Sequence, residues 1–323
     1  MILTRSPLRI SIGGGGTDLP SFYEQDGTQF SSLAIDKFVY VSVFKRFYKN
    51  HLIKYRVTEE VEDYKQIKNE IIKEVFKKYY SDGTSIEFTT MADVPAGTGL
   101  GSSGAFTVAS LAAVRKMKNL DINPFALAKE ATKIEMIHLE RNIGLQDQYA
   151  SAFGGFNVFD VTKTGEVTVK NVRLEPNIEE FINSKMQLFF VGTTRDASNI
   201  LENDSKEMKS NTAKFDRIMK RGKKITELLI AGKMSDLGSE MHEHWMEKRQ
   251  RQKKHTDEKI NLAYDDAVNN GAFGGKLVGA GGSGFVLLLS DDTEKTRSIM
   301  KKYDMPELQF KISHNGYEVL TER

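Results

Sequence analysis

The chain has 323 residues, of which 46 are basic and 44 acidic, and it contains no cysteine. That length accommodates two domains of ordinary size. The balanced charge argues against nucleic acid or a membrane as the main partner. Without cysteine there are neither disulfides nor thiolate metal sites, which fits a cytoplasmic enzyme. No apolar signal core follows Met1, and no run approaches the roughly 18 apolar residues of a membrane span.

Leu8 to Ile12 is a short β-type run that ends in four glycines, Gly13 to Gly16, followed by Thr17 and Asp18. A bare backbone turn of this kind lets a polar ligand sit against the main chain. Asp18 can accept two sugar hydroxyls there, or it can cap the next helix. Lys37 to Phe47 alternates Val39, Val41 and Val43 and reads as a strand. Tyr64 to Tyr80 places Ile67, Ile71, Val75 and Tyr79 four apart, which predicts an amphipathic helix. Ser85 to Thr90 reads as a strand that feeds a second glycine segment.

That segment, Pro95 to Ala105, is the most informative stretch of the chain. Gly97, Gly99 and Gly101 remove side chains that would keep backbone N–H groups away from a bulky anion. Ser102 and Ser103 add hydroxyls where an apolar helical pattern begins, carried by Phe106, Ala109, Leu111, Ala113 and Val114. The free N–H groups of a helix start and its dipole favour phosphate. The loop is not a Walker A motif, since no lysine precedes Ser102 or Ser103. It is not a dinucleotide fingerprint either, since position 102 is serine. The plainer alternative is a flexible surface loop before a helix.

Pro124 to Leu139 is a predicted helix containing Glu135. Asp147 follows in Gly144-Leu-Gln-Asp-Gln-Tyr, a loop-like position where a carboxylate can accept a hydroxyl proton or orient the hydroxyl. One carboxylate with a serine hydroxyl is an ordinary Mg²⁺ arrangement, the other positions being water and phosphate oxygens. Taken singly, each acid also reads as a surface or capping residue. Gly155 to Asp160 and Val167 to Val172 form a predicted hairpin.

A boundary falls near residue 180, dividing the chain into 1–180 and 181–323. Met186 to Val191 starts a new strand. A charged helical region follows from about Asn203 to Asn270, interrupted near Gly232 and His255. Its basic run Lys248 to Lys254 has no interleaved aromatic residue and reads as a solvated helix face. His242 and His244, two apart, point to different faces of a helix, so no structural zinc is predicted. Gly271 to Gly284 holds seven glycines, which implies close approach of backbone to a ligand or to another loop. Phe285 to Leu289, Glu307 to Ile312 and Tyr317 to Leu320 read as strands, and Glu294 to Tyr303 as a helix.

Together the three glycine segments resemble the GHMP kinase superfamily of small-molecule kinases. Pro95, Gly97, Thr98, Gly99, Leu100, Gly101, Ser102, Ser103 and Gly104 are similar to its phosphate loop, Arg9 to Asp18 to its first motif, and Lys276 to Gly284 to its third. The resemblance implies an α+β fold: an N-terminal domain like ribosomal protein S5 domain 2 and a ferredoxin-like C-terminal domain. It implies ATP and Mg²⁺ as cosubstrates. By position it makes Asp147 the catalytic aspartate, Arg9 the basic residue near the transferred phosphoryl group, Ser103 and Glu135 the Mg²⁺ ligands, and Asp18 a sugar ligand. Gly15, Gly16, Thr17, Gly281 and Gly282 join the substrate side. Arg195, in Thr194-Arg-Asp-Ala-Ser, suits either a substrate phosphate or a surface ion pair.

Within the superfamily, the tetraglycine, Gly-Leu-Gln-Asp-Gln-Tyr and Arg195 segments resemble sugar-1-kinases of the heptose 7-phosphate and fucokinase types. Galactokinases carry Glu-His where this chain has Gly15 and Gly16. That difference implies a wider pocket end and a larger or phosphorylated sugar. A non-catalytic sugar and nucleotide sensor on the same fold is the reading from another class, and joint retention of Arg9, Ser103, Glu135 and Asp147 argues against it. The partners expected are ATP and a sugar phosphate, with no nucleic acid and no membrane. The adenine pocket is expected within Val43 to Tyr64. The oligomeric state is left open, a homodimer being one option.

Overall fold

The structure is a computed structural model and describes residues 1–192, 212–251, 257–279 and 284–322. Strand β1 spans Ile2–Gly13, helix α1 Pro20–Asp26 and strand β2 Thr28–Lys45. Two short strands follow, β3 at His51–Lys54 and β4 at Thr58–Val61, then α2 at Glu70–Tyr79 and β5 at Ile86–Ala92. Helices α3 (Ser102–Met117), α4 (Pro124–Thr132) and α5 (Gln146–Phe153) precede the hairpin of β6 (Phe156–Val161) and β7 (Val167–Asn171). The remainder comprises α6 (Pro176–Lys185), β8 (Met186–Phe190), α7 (Thr212–Ile230), α8 (Met234–Arg251) and α9 (Glu258–Asn269). It ends with β9 (Gly274–Leu277), β10 (Phe285–Leu289), α10 (Thr293–Lys302), β11 (Glu307–Leu308) and β12 (Glu318–Glu322).

The first sheet runs β12-β1-β2-β5-β3-β4, with β6 and β7 added beside β2. The length of β2 makes this branch: its first half pairs with β6 and its second half with β5. The second sheet is β11-β8-β10-β9 and is antiparallel. Helices α2, α3 and α4 cover one face of the first sheet, burying Phe76, Phe88, Val108, Leu111 and Leu127. A second core joins Leu8, Ile10 and Ile12 of β1 to Ile225 and Leu229 of α7 and to Leu188 and Leu287 of the second sheet. Trp245, Tyr264 and Phe189 anchor a third. Among the described residues, no helix is long and apolar enough to cross a membrane.

Most expected elements form, and the departures are informative. The helix expected over Tyr64 to Tyr80 breaks into a 3₁₀ turn at Tyr64–Gln66 and α2, because Asn69 caps the latter by accepting the Ile72 N–H at 3.1 Å. The helix expected over Pro124 to Leu139 is α-helical only to Thr132 and continues as a π-helical turn, Lys133–His138. Asp147 is not in a loop: it lies in the first turn of α5. The strand expected over Glu307 to Ile312 shrinks to two residues. The chain end also departs from the division at residue 180. Strand β12 returns to pair with β1, so the last residues complete the first sheet.

The two sheets meet where α7 crosses the end of β1. A Cβ on Gly222 of α7 would lie 2.4 Å from the Gly14 nitrogen, and one on Gly13 would lie 2.3 Å from the Gly222 carbonyl oxygen. Beside this contact the hydroxyls of Ser31 and Thr226 are 2.7 Å apart. Backbone meets backbone here, so no side-chain rotamer can relieve an added methyl. Gly222→Ala should therefore destabilise the protein by about 1–3 kcal/mol, the range for overpacking. A fall in the urea midpoint checks this, and an unchanged midpoint would contradict the packing.

Candidate active site

Helix α3 starts at Ser102 with Gly101 as its N-cap, at φ 78° and ψ 25°, and no side chain caps its first turn. Gly97 and Gly99 share the same positive φ, a conformation that glycine adopts without a steric penalty. The N–H groups of the first turn thus remain available to an anion. The Ser102 hydroxyl is buried without a hydrogen-bond partner, and Ser103 is exposed. These features suit a nucleotide phosphate. Two loop residues turn inward instead. Leu100 is fully buried, and Thr98 donates its hydroxyl to the Pro95 carbonyl at 3.0 Å.

Arg9 and Asp147 meet at this helix start. With Leu8, Ile10 and Ile12 in the core between the sheets, alternation sends Arg9 to the opposite face of β1. Its Nε donates to Asp147 Oδ1 at 2.8 Å, its Nη2 lies 2.5 Å from the same oxygen, and its Nη1 donates to the Gly99 carbonyl at 2.5 Å. The Arg9 backbone N–H donates to the Leu100 carbonyl at 3.0 Å. A Cβ on Gly101 would lie 3.1 Å from the Arg9 side chain and 3.3 Å from the Asp147 carboxyl carbon. One on Gly104 would lie 2.7 Å from the Asp147 Cβ. The Asp147 side chain is 31% exposed and that of Arg9 only 7%, so Asp147 is the member of the pair open to solvent.

Asp18 reaches the same helix from the tetraglycine turn. Its carboxylate accepts the N–H groups of Gly16 at 3.1 Å and Gln146 at 3.0 Å, so it caps α5 rather than α1, which follows it in sequence. Gly144 must lack a side chain because Asp18 packs against its Cα. Burial pushes the Asp18 carboxyl above its ordinary range; the Gln146 amide opposes this, and the nearby Asp147 charge adds to it. Thr17 departs from the expected substrate role. It is fully buried, and its hydroxyl donates to the Gly14 carbonyl at 2.7 Å and meets Thr28. The turn is also less open than its four glycines imply. Gly13 and Gly14 abut backbone, a Cβ on Gly15 would strike the Ser11 hydroxyl, and only Gly16 borders open space.

Glu135 sits on the π-helical turn, an irregularity common at functional sites. It is fully buried and accepts hydrogen bonds from Ser103, from Thr107 at 3.0 Å and from Gln148 at 2.9 Å. Burial raises its carboxyl above the ordinary range, and these donors pull the other way. Among the described residues no cluster of three or more acidic or histidine side chains could hold a metal. The Ser103 hydroxyl and the Glu135 carboxylate, hydrogen-bonded to each other at a helix start, are donor types that suit Mg²⁺. Sequence reasoning missed Arg141. Its Nη1 lies 3.2 Å from the Ser103 hydroxyl and 3.5 Å from Glu135, and its Nη2 bonds to Glu70 at 3.1 Å. No motif flags this arginine; only the fold brings it to the loop.

The third glycine segment packs on the phosphate loop. A Cβ on Gly279 would lie 2.6 Å from the Gly99 Cα, and one on Gly284 would lie 2.1 Å from the Thr98 carbonyl oxygen. From β9, Lys276 is almost fully buried and donates to the Ile12 carbonyl at 2.8 Å. Gly281, Gly282 and Arg195, expected to touch substrate, lie outside the described residues.

A glycine-lined helix start with an arginine–aspartate pair beside it is an arrangement suited to holding phosphate. Residues 66–155 match the family model "GHMP kinases N terminal domain". The chain is 29% identical over 316 residues to the D-glycero-alpha-D-manno-heptose 7-phosphate kinase of Campylobacter jejuni, covering 91% of each chain. It is 25% identical to the L-fucokinase/L-fucose-1-P guanylyltransferase of Bacteroides fragilis, covering 92% of this chain and 35% of that protein. Its fold matches the crystal structure of a D-glycero-D-manno-heptose 1-phosphate kinase from Bacteroides thetaiotaomicron with a TM-score of 0.82, at 21% identity and over all of both chains.

The buried lysine gives a pH prediction. Burial first, then the charges of Lys248 and Arg9, pull the Lys276 ammonium down to about 7. Between about pH 7 and about pH 10 the unfolded chain therefore binds more protons than the folded one, and this group makes stability rise with pH. Below that window the effect is flat. In urea titrations the wild type should gain stability over Lys276→Met as the pH is raised from 7 to about 10. A difference that stays constant across that range would contradict the burial of a charged amine.

Proposed function

We propose that this kinase transfers the γ-phosphoryl group of ATP to the anomeric hydroxyl of D-glycero-D-manno-heptose 7-phosphate, giving the 1,7-bisphosphate and ADP. The observation that carries this reading is the Arg9–Asp147 pair, set against Gly101 and Gly104 at the start of α3. Likeness to the Campylobacter jejuni enzyme over nearly the whole chain supports the choice of acceptor. The space beside Gly16 supports a bulky sugar. The absence of cysteine fits a cytoplasmic setting.

In this mechanism the backbone N–H groups of the loop and of the first turn of α3 hold the nucleotide phosphates, and Ser102 adds a hydroxyl. Mg²⁺ held by Ser103 and Glu135 would neutralise phosphate charge. Arg9 places positive charge beside the transferring group. Asp147 orients the acceptor hydroxyl and accepts its proton as the new O–P bond forms and the bond to ADP breaks. Positioning and electrostatics supply most of the acceleration in phosphoryl transfer. An anomeric hydroxyl is more acidic than an ordinary alcohol, which lightens the demand on Asp147. The buried Asp18 carboxylate, already holding two backbone amides, fixes the acceptor turn and has lone pairs left for a sugar hydroxyl.

Similarity to the Bacteroides fragilis fucokinase supports a second reading, in which the acceptor is an unphosphorylated sugar. ADP release over a panel of free and phosphorylated sugars separates the two. A strong preference for the 7-phosphoheptose supports the first, and equal or better turnover of L-fucose or another free sugar overturns it. Asp147→Asn should lower kcat at least about a hundredfold while sugar binding is largely kept. Near-normal turnover in that variant would remove Asp147 from the chemistry.

A further inference from the structure

The third glycine segment and the helix beside it carry two lysines that hold backbone carbonyls on opposite sides of the site. The Lys276 ammonium is bound to the Ile12 carbonyl at 2.8 Å, across 264 residues of sequence. Ile12 is where the register of β1 against β2 shifts, and it is the last residue before the tetraglycine turn. That turn continues into Asp18, which caps the helix of Asp147. The Lys248 ammonium is bound to the Gly279 carbonyl at 2.8 Å. Gly279 rests directly on Gly99, whose own carbonyl is taken by Arg9. Lys276 therefore fixes the start of the acceptor turn, whereas Lys248 backs the phosphate loop.

Retaining an ammonium at the Lys276 position is chemically demanding. The side chain is almost fully buried, and the nearest charges acting on it, Lys248 and Arg9, are of like sign. A hydrophobic side chain would fill the same space without desolvating a charge. What it could not supply is a donor for the Ile12 carbonyl, which is buried where strand pairing is irregular.

Building on the sugar-kinase reading above, we infer that Lys276 and Lys248 are positioning residues with separate targets: Lys276 sets the acceptor turn through Ile12, and Lys248 sets the phosphate loop through Gly279. Neither touches the reacting atoms in this assignment. The two hold different backbone carbonyls, so they should control different kinetic constants although they are neighbours.

The test compares full-length Lys276→Met and Lys248→Met with Lys276→Arg and Lys248→Arg. Amide hydrogen exchange is read first, without ligand. Lys276→Met should speed exchange about tenfold over residues 13–17 and leave residues 98–104 unchanged, and Lys248→Met should do the reverse. In steady state with ATP and heptose 7-phosphate, Lys276→Met should raise the acceptor KM about tenfold with the ATP KM within about twofold, and Lys248→Met the opposite. The arginine variants, which keep a donor and a charge, should recover part of each effect. The inference is overturned if both methionine variants loosen the same segment, if they move the same KM, or if they only lower the melting temperature. If heptose 7-phosphate is not phosphorylated at all, the substrate reading fails while the exchange data still decide this one.

Discussion

The site depends on one guanidinium. Arg9 is buried, and a buried cation is tolerated only when its N–H groups are paired. Its partners are the Asp147 carboxylate and the Gly99 carbonyl, one on α5 and the other in the phosphate loop. Satisfying Arg9 therefore forces β1, the loop and α5 together. The glycines nearby follow from that demand as much as from ligand binding. A side chain at Gly101 would press on Arg9 and Asp147, and one at Gly104 would strike the backbone of α5. A loop shaped to pack on an ion pair is also a loop whose N–H groups are uncapped by any side chain.

Three carboxylates surround this arrangement, and the fold gives each a different environment. Glu135 is sealed beneath α3 by three side-chain donors. Asp18 is held by two backbone amides at the start of α5. Asp147 pairs with Arg9 and keeps about a third of its side chain open. Environment rather than residue type thus separates a candidate metal ligand, a turn-fixing acid and a candidate proton acceptor, as it does wherever one site runs several carboxylates.

Much of this was legible in the sequence, for identifiable reasons. Long periodic segments such as α3, and alternating ones such as the second half of β2, carry their own signal. The Gly97-x-Gly99-x-Gly101 spacing announced a bare backbone turn into a helix, and all three glycines take positive φ ahead of α3. What stayed hidden depends on tertiary contact. The helix bearing Asp147 is short, opens with Gln-Asp-Gln and is capped by Asp18 from far away in sequence, so local pattern gave a loop. The return of β12 to β1 cannot be read from a five-residue strand. Four consecutive glycines suggested an open pocket, yet two of them exist because α7 and β2 approach the turn. Arg141, in the irregular stretch between the π-helical turn and α5, and Lys248, on a charged helix, carry no local signal, and only folding brings them to the glycine loops.

Arg9 and Asp147, proposed to act as a single catalytic unit, are tested most directly by a double-mutant cycle on kcat. Arg9→Met and Asp147→Asn are made singly and together, and transfer from ATP to heptose 7-phosphate is timed. Residues that act as one unit are strongly non-additive, so the double variant should be no more than about tenfold slower than the worse single. A double variant slowed by the product of the two single effects would mean that the pair acts independently, and the proposed centre would be wrong.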